Sequence, residues 1–144
     1  MTDEQVFDLT IDAHLDKLAE VRDFIDSAGA KLGITENALA DLRLVVDEAV
    51  TNIILHGYEG RKGNVELQMT TEDDSVVISI RDQARSFDPT DVNNPQLDTA
   101  LKDRAFGGMG IFLIKRMTDE AVFKPLPGGG NELRLVKHDA VDSA

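Results

Sequence analysis

Phe7, Leu9 and Ile11 alternate with polar residues, a period-two pattern that predicts a strand with one covered face. The period then lengthens: Ile11, Leu15, Leu18, Val21, Ile25, Ala28 and Leu32 recur every three or four residues. That spacing predicts a helix beginning near residue 12 or 13 and ending around Gly29 and Gly33. Thr35 is the expected N-cap of a second helix, whose apolar face runs through Leu39, Leu42, Val46, Ala49, Val50 and Ile53. Gly57 is its expected stop. Val65, Leu67 and Met69, then Val76, Ile78 and Ile80, alternate on either side of an acidic turn at Thr71–Ser75. From Gln83 to Phe106 no period is strong, and Asp88-Pro89 and Asn94-Pro95 interrupt the chain. A connection of that length in a compact domain reads as a lid, a binding loop or a disordered segment. Gly107-Gly108-Met109-Gly110 opens a short helix through Ile111, Leu113, Ile114 and Met117. Ala121–Lys124 and Leu133–Val136 then form a closing hairpin around Pro125–Asn131.

This order segregates helices from strands that are mostly joined as hairpins. It predicts an α+β fold, a two-layer α/β sandwich in which helices cover one face of a mixed, mostly antiparallel sheet. No internal repeat, low-complexity tract or linker divides the 144 residues, so 1–144 reads as one domain with one core.

Composition narrows the function. With 42% hydrophobic and 29% charged residues the chain is of ordinary globular type. Its 27 Asp and Glu against 15 Lys and Arg leave a net charge of −12. That balance argues against a nucleic-acid or anionic-membrane surface, both of which need clustered cations, and favours partners with basic faces. It also obliges any phosphate site to supply strong local donors. The absence of cysteine excludes disulfides and thiolate metal sites, and fits a reducing cytoplasm. No apolar run approaches the ~20 residues of a membrane span. The acidic start Met1-Thr2-Asp3-Glu4 does not resemble a signal peptide. A cytoplasmic location is expected.

Three features then carry candidate chemistry. Glu48, Asn52 and His56 stand at i, i+4 and i+8 on the second helix, each rotated about 40° from the last, and so form one polar stripe. Taken alone, the stripe reads first as a solvated face. Leu44 and Leu55 fall on the same side, however, and point to a pocket or lid that covers it. Asp82 follows Val76, Ile78 and Ile80 by twos, on the strand face expected to meet the helices. A carboxylate there must reach solvent at the strand end or accept hydrogen bonds from something buried. Gly107, Gly108, Met109 and Gly110 precede an apolar helix, where free backbone amides attract anions and glycine permits close approach. By itself this run reads as a hinge, and it is neither a Walker A loop nor a dinucleotide fingerprint. Gly128-Gly129-Gly130 lies between two expected strands and reads as a hairpin turn. His14 and His138 lack partners at metal spacing, and no Ser-His-Asp arrangement is legible.

In combination and in this order, the features resemble the GHKL (histidine kinase-like) ATPase superfamily, and more closely the bacterial anti-sigma factor serine/threonine-protein kinases. The matching stretches are Asp47-Glu48-Ala49-Val50-Thr51-Asn52-Ile53-Ile54-Leu55-His56-Gly57-Tyr58, Arg81-Asp82 with Ser86-Phe87-Asp88-Pro89, Gly107-Gly108-Met109-Gly110-Ile111-Phe112-Leu113-Ile114, and Met117-Thr118-Asp119-Glu120. The likeness extends from about Phe7 to Lys137. It implies a histidine kinase-like ATPase fold that binds ATP and Mg²⁺. Asn52 would coordinate the Mg²⁺ that bridges the phosphates, and Glu48 would accept the proton of an attacking hydroxyl. His56 would contact phosphate or finish the helix. Asp82 would accept from the adenine amino group. Gly107, Gly108, Met109 and Gly110 would cradle phosphates, and Arg104, in the lid, would reach the γ-phosphate. Two positions depart from the family pattern. Ala84 stands where a glycine is usual, and its methyl would weaken nucleotide binding if backbone must pass against the base. Asn131 stands near a usual threonine and can still donate a hydrogen bond.

The resemblance implies a protein-serine kinase that phosphorylates a STAS-type anti-anti-sigma protein and sequesters a sigma factor, with a homodimer compatible. The alternative is a non-catalytic partner-switching module with weak or lost ATP binding, which Ala84 keeps open. A histidine kinase catalytic domain ranks behind both, because His14-Leu15-Asp16 lacks the acidic residue that usually follows a phosphoacceptor histidine. A chain of this length also leaves no room for a helix pair for dimerisation, so any acceptor or output domain is expected on a separate protein.

Overall fold

The computed structural model describes residues 5–84 and 109–142. Strands β1 (Phe7–Asp12), β2 (Asn64–Glu72), β3 (Ser75–Asp82), β4 (Glu120–Pro125) and β5 (Asn131–Lys137) form one sheet in the order β1-β2-β3-β5-β4. All four pairings are antiparallel, so the mostly antiparallel sheet expected from the sequence is antiparallel throughout its described strands. Helices α1 (Leu18–Leu32), α2 (Glu36–Asn52) and α3 (Met109–Met117) complete the α+β architecture.

Register decides which face is dry. Ile11 pairs with Val65, Leu67 with Ile80, Ile80 with Leu133 and Ile78 with Leu135, so three successive cross-strand rows put aliphatic residues on one face of the sheet. These residues share a core with Val21, Ile25 and Ala28 of α1 and with Leu42, Val45, Val46, Ala49 and Val50 of α2. The opposite face carries Asp8, Thr10, Glu66, Gln68, Ser79 and Arg81. Alternation along each strand thus places the helices on one side of the sheet only.

Element boundaries depart from the sequence pattern in two places. Ile11 belongs to β1, because its pairing with Val65 and that of Asp12 with Asn64 extend the strand. The His14 ring accepts from the Asp16 N–H at 3.3 Å and caps a 3-10 turn at Leu15–Lys17, so α1 starts only at Leu18. Gly29 lies inside α1, where a Cβ would stand 2.6 Å from Leu39 Cδ1; Gly33, with φ 76°, ends the helix. Thr35 caps α2 as expected, its hydroxyl accepting from the Ala38 N–H at 3.3 Å. Gly57 does not stop that helix. The chain instead widens into a π-helical segment, Ile53–Tyr58, and leaves it through left-handed Glu59 (φ 53°) and Gly60 (φ 84°). Buried Ile53, Ile54 and Tyr58 hold this wider turn against the core. π-Turns inside helices recur at functional sites.

The acidic turn narrows to Asp73-Asp74, with Asp73 at φ 58°. The hairpin between β4 and β5 turns through Gly128, Gly129 and Gly130, all at positive φ. No helix among the described residues is long and apolar enough to cross a membrane.

Candidate functional site

The end of β3 brings Asp82, Ala84 and Asn131 together. Asp82 is only 3% exposed, because its place in the Ile78–Ile80 row turns it towards the helices. It pairs across the sheet with Asn131, the first residue of β5, which is fully buried. Asp82 Oδ1 accepts from Asn131 Nδ2 at 2.9 Å and from the Ala84 N–H at 2.9 Å. Asn131 Nδ2 also lies 3.4 Å from the Ala84 carbonyl oxygen. A buried carboxylate held by such donors is fixed in direction, as a group that reads a ligand must be.

Ala84 enters this cluster through its backbone. Its φ is not in the left-handed region, and its methyl group joins the hydrophobic core. Alanine therefore meets the local conformation without strain. Gly130 is the residue with no freedom to change: at φ 89°, a Cβ would stand 2.3 Å from the Asp82 carbonyl oxygen. Its lack of a side chain lets the hairpin close onto β3.

Tyr58 completes the framework. Its hydroxyl donates to the Asn64 carbonyl at 2.6 Å and accepts from the Gln83 N–H at 2.7 Å. The end of the π-segment is thereby tied to the start of β2 and to the residue after Asp82. Nothing in the sequence periodicity singles out Tyr58 for this role. Gly63 packs against its ring, where a Cβ would lie 2.1 Å from Tyr58 Cε1. Periodicity passes over both Tyr58 and Asn131, because both act across strands far apart in sequence; the sequence singles out Asn131 only through the family resemblance.

On α2, Glu48 is half-buried, Asn52 is 4% exposed and His56 is exposed in the π-segment. Asn52 Oδ1 is buried without a hydrogen-bond partner, and the other such side-chain atom among the described residues is Asn131 Oδ1. Native interiors leave few acceptors unmet, so each of these oxygens is a candidate position for a donor, an ordered water or a cation. Neighbouring carboxylates on α2 differ in the same way. Asp47 accepts from Arg22 of α1 at 3.0 Å, whereas Glu48 has no hydrogen bond or ion pair among the described residues. Leu44 and Leu55, expected under cover, are 46% and 44% exposed within the described structure.

Arg104, Gly107 and Gly108 lie outside the described residues. Met109 and Gly110 form the first turn of α3, and their backbone is helical as expected. At the far end of the sheet, Ser75 Oγ lies 2.8 Å from His138 Nδ1, and His138 Nε2 lies 3.4 Å from Glu120. This Ser-His-Glu contact, not legible in the sequence, is half exposed and joins the ends of β3, β4 and β5. Among the described residues, no group of three His, Cys, Asp or Glu side chains could hold a metal. Asn52 Oδ1 nevertheless suits Mg²⁺, which takes one or two protein oxygens and fills its octahedron with phosphates and water.

Comparison with known proteins agrees with this fold. The anti-sigma F factor of Bacillus subtilis is 34% identical over 110 residues, covering 76% of this chain and 75% of that protein. The anti-sigma F factor of Thermoanaerobacter pseudethanolicus is 27% identical over 121 residues, with 84% and 85% covered. The crystal structure of the RsbU and RsbW domains of a Mycobacterium tuberculosis protein superposes with a TM-score of 0.66 at 20% identity. That superposition covers 93% of this chain and 32% of the larger one, and it supports the fold alone. The histidine kinase-like ATPase domain model matches residues 11–137, and the chain belongs to that family.

Proposed function

We propose that this protein is an ATP-dependent protein-serine kinase and anti-sigma factor, which phosphorylates a STAS-type anti-anti-sigma protein and sequesters a sigma factor in the cytoplasm. One observation carries the reading. Among the described residues, Asn52 presents a buried oxygen without a hydrogen-bond partner, one helical turn from Glu48, a half-buried carboxylate that also has no partner there. A cation-binding oxygen and a proton acceptor on one face of one helix are what phosphoryl transfer to a hydroxyl requires. The similarity to anti-sigma F factors supports the partners.

Asp82, oriented by Asn131 and Ala84, would accept from the adenine amino group. Asn52 would hold Mg²⁺, whose charge offsets repulsion between phosphates and a chain of net charge −12. The serine Oγ of the partner attacks the γ-phosphorus, and the bond from that phosphorus to the β,γ-bridging oxygen breaks. ADP leaves with the electron pair, while the hydroxyl proton passes to Glu48. Glu48 stands free of Arg22, which would otherwise compete for its lone pairs. Backbone amides at Gly107–Gly110 would hold phosphates, with Arg104 at the γ-phosphate.

The second reading, a partner-switching module without catalysis, rested on Ala84. Its unstrained backbone and core-packed methyl favour retained nucleotide binding. The deciding experiment incubates the protein with Mg²⁺, γ-labelled ATP and STAS proteins of the same organism. Label on a STAS serine that disappears with Glu48→Ala supports the kinase. Partner binding with no ATP affinity and no transfer supports the module instead.

A further inference from the structure

Lys137, the last residue of β5, has a side chain only 18% exposed. Its ammonium donates to the Met117 carbonyl oxygen at 2.8 Å and pairs with Asp41 of α2 at 3.0 Å. The Met117 carbonyl is among those a helix leaves unmet at its C-terminus, where a cation also suits the helix dipole. One lysine thus ties the end of α3 to α2 and to the sheet.

Asp41 marks a particular height on α2. Glu48 and Asn52 follow it by seven and eleven residues, so both fall within about 20° of its direction, roughly 10 and 16 Å further along the helix. α3 packs against α2, and Ile114 shares a core with Leu42, Val45 and Ala49. From Met117, α3 reaches back to Met109, a span of roughly 12 Å. A course parallel to α2 would carry it past Glu36 to the level of Gly33 and Thr35, whose backbones already bond Asp142 and Ala140. The antiparallel course instead sets Met109 and Gly110 level with Glu48 and Asn52.

We infer that Lys137 is a positioning residue for phosphotransfer: it fixes the register of α3 on α2 and so holds the first-turn amides of α3 beside Asn52 and Glu48. The inference rests on the kinase reading. Asn131 stands at the other end of β5, roughly 20 Å away. Lys137 therefore acts on the phosphate end of the nucleotide and leaves the Asp82 end untouched. A lysine serving only global stability would affect both ends alike, so the two roles are separable.

The test compares ADP and adenosine binding to the full chain with Mg²⁺, together with single-turnover transfer from saturating ATP to a STAS serine. Lys137→Met keeps an apolar stem and loses the ammonium. ADP binding is expected to weaken by roughly three- to tenfold, about the worth of one hydrogen bond, while adenosine binding stays within about twofold. Transfer is expected to fall by up to ~10²-fold, the scale of a misplacement of about 1 Å. Lys137→Arg restores both, and the losses persist at about 0.5 M salt, where a distant charge is screened. Asp41→Asn loosens the same tie from α2 and shifts the ADP-to-adenosine ratio in the same direction; it is the second variant, should Lys137→Met fail to fold. Unchanged ADP binding and transfer overturn the inference and leave the kinase reading intact. Equal weakening of ADP and adenosine, or a loss that vanishes at high salt, also overturns it. Absence of ADP binding and of transfer in the wild type overturns the kinase reading itself, and this inference with it.

Discussion

The Tyr58 hydroxyl accepts the backbone N–H of Gln83 at 2.7 Å, one residue beyond the buried Asp82. The same oxygen donates to the Asn64 carbonyl at 2.6 Å, so one phenol couples the end of the π-helical segment to β2 and to the residue that follows β3 at the candidate base site. Tyr58→Phe removes both bonds and leaves two partly buried backbone groups unmet. The expected loss is about 1–3 kcal/mol of stability, read by urea denaturation, with a several-fold fall in ADP affinity. Gly63→Ala acts on the same ring by crowding, since Gly63 does not occupy a positive φ. It should cost about 1–3 kcal/mol in the same assay.

Asp47 and Glu48 are adjacent carboxylates with different surroundings, and substitution should separate them. Asp47→Asn breaks an ion pair with Arg22 whose partners are 34% and 55% exposed, so stability should fall by no more than about 1 kcal/mol. Phosphotransfer should continue. Glu48→Gln should leave ADP binding within about twofold while phosphotransfer falls by at least ~10²-fold, the scale of a lost general base. Single-turnover transfer of γ-label to a STAS serine reads both. Equal effects of the two substitutions would refute the assignment of Glu48.

Asn52→Leu removes a buried acceptor that has no partner among the described residues. Stability without ligand should stay within about 0.5 kcal/mol of wild type or rise, because no hydrogen bond is lost from the interior. Nucleotide affinity should lose its dependence on Mg²⁺, measured as the ratio of ADP binding with Mg²⁺ to that with EDTA. Marked destabilisation without ligand would show that Asn52 has a structural role instead.

The three hairpin glycines should respond unequally. Gly128 and Gly129 have positive φ and open space around a Cβ, so alanine at either costs about 1 kcal/mol of backbone strain. Gly130→Ala adds a collision with the Asp82 carbonyl and should cost more than either, with ADP affinity falling because Asp82 must move. Thermal denaturation and ADP calorimetry on the three variants test this order.

Much of the fold was legible in local patterning. Alternation in Val65–Met69 and Val76–Ile80 marked β2 and β3, and Thr35 marked the start of α2, because period and capping are properties of neighbouring residues. Glu48, Asn52 and Asp82 stood out as polar groups on faces that periodicity assigned to the interior or to its margin. The start of α1 was misplaced because Ile11 fits both a period of two and a period of 3.6; pairing with Val65, 54 positions away, settled it for the strand. Gly57 reads as a helix stop from composition, yet packing of Ile53, Ile54 and Tyr58 carried the chain past it in a wider turn.

The sequence by itself determined which residues carry charge, which positions alternate, and that acceptors without obvious partners lie on α2 and at the end of β3. Tertiary structure alone decided which acceptors are satisfied. Asp47 found Arg22 on another helix, Asp82 found Asn131 across the sheet, and the oxygens of Asn52 and Asn131 found no hydrogen-bond partner among the described residues. The reason is physical: a hydrogen bond depends on distance and direction between groups far apart in the chain, and only folding brings them together.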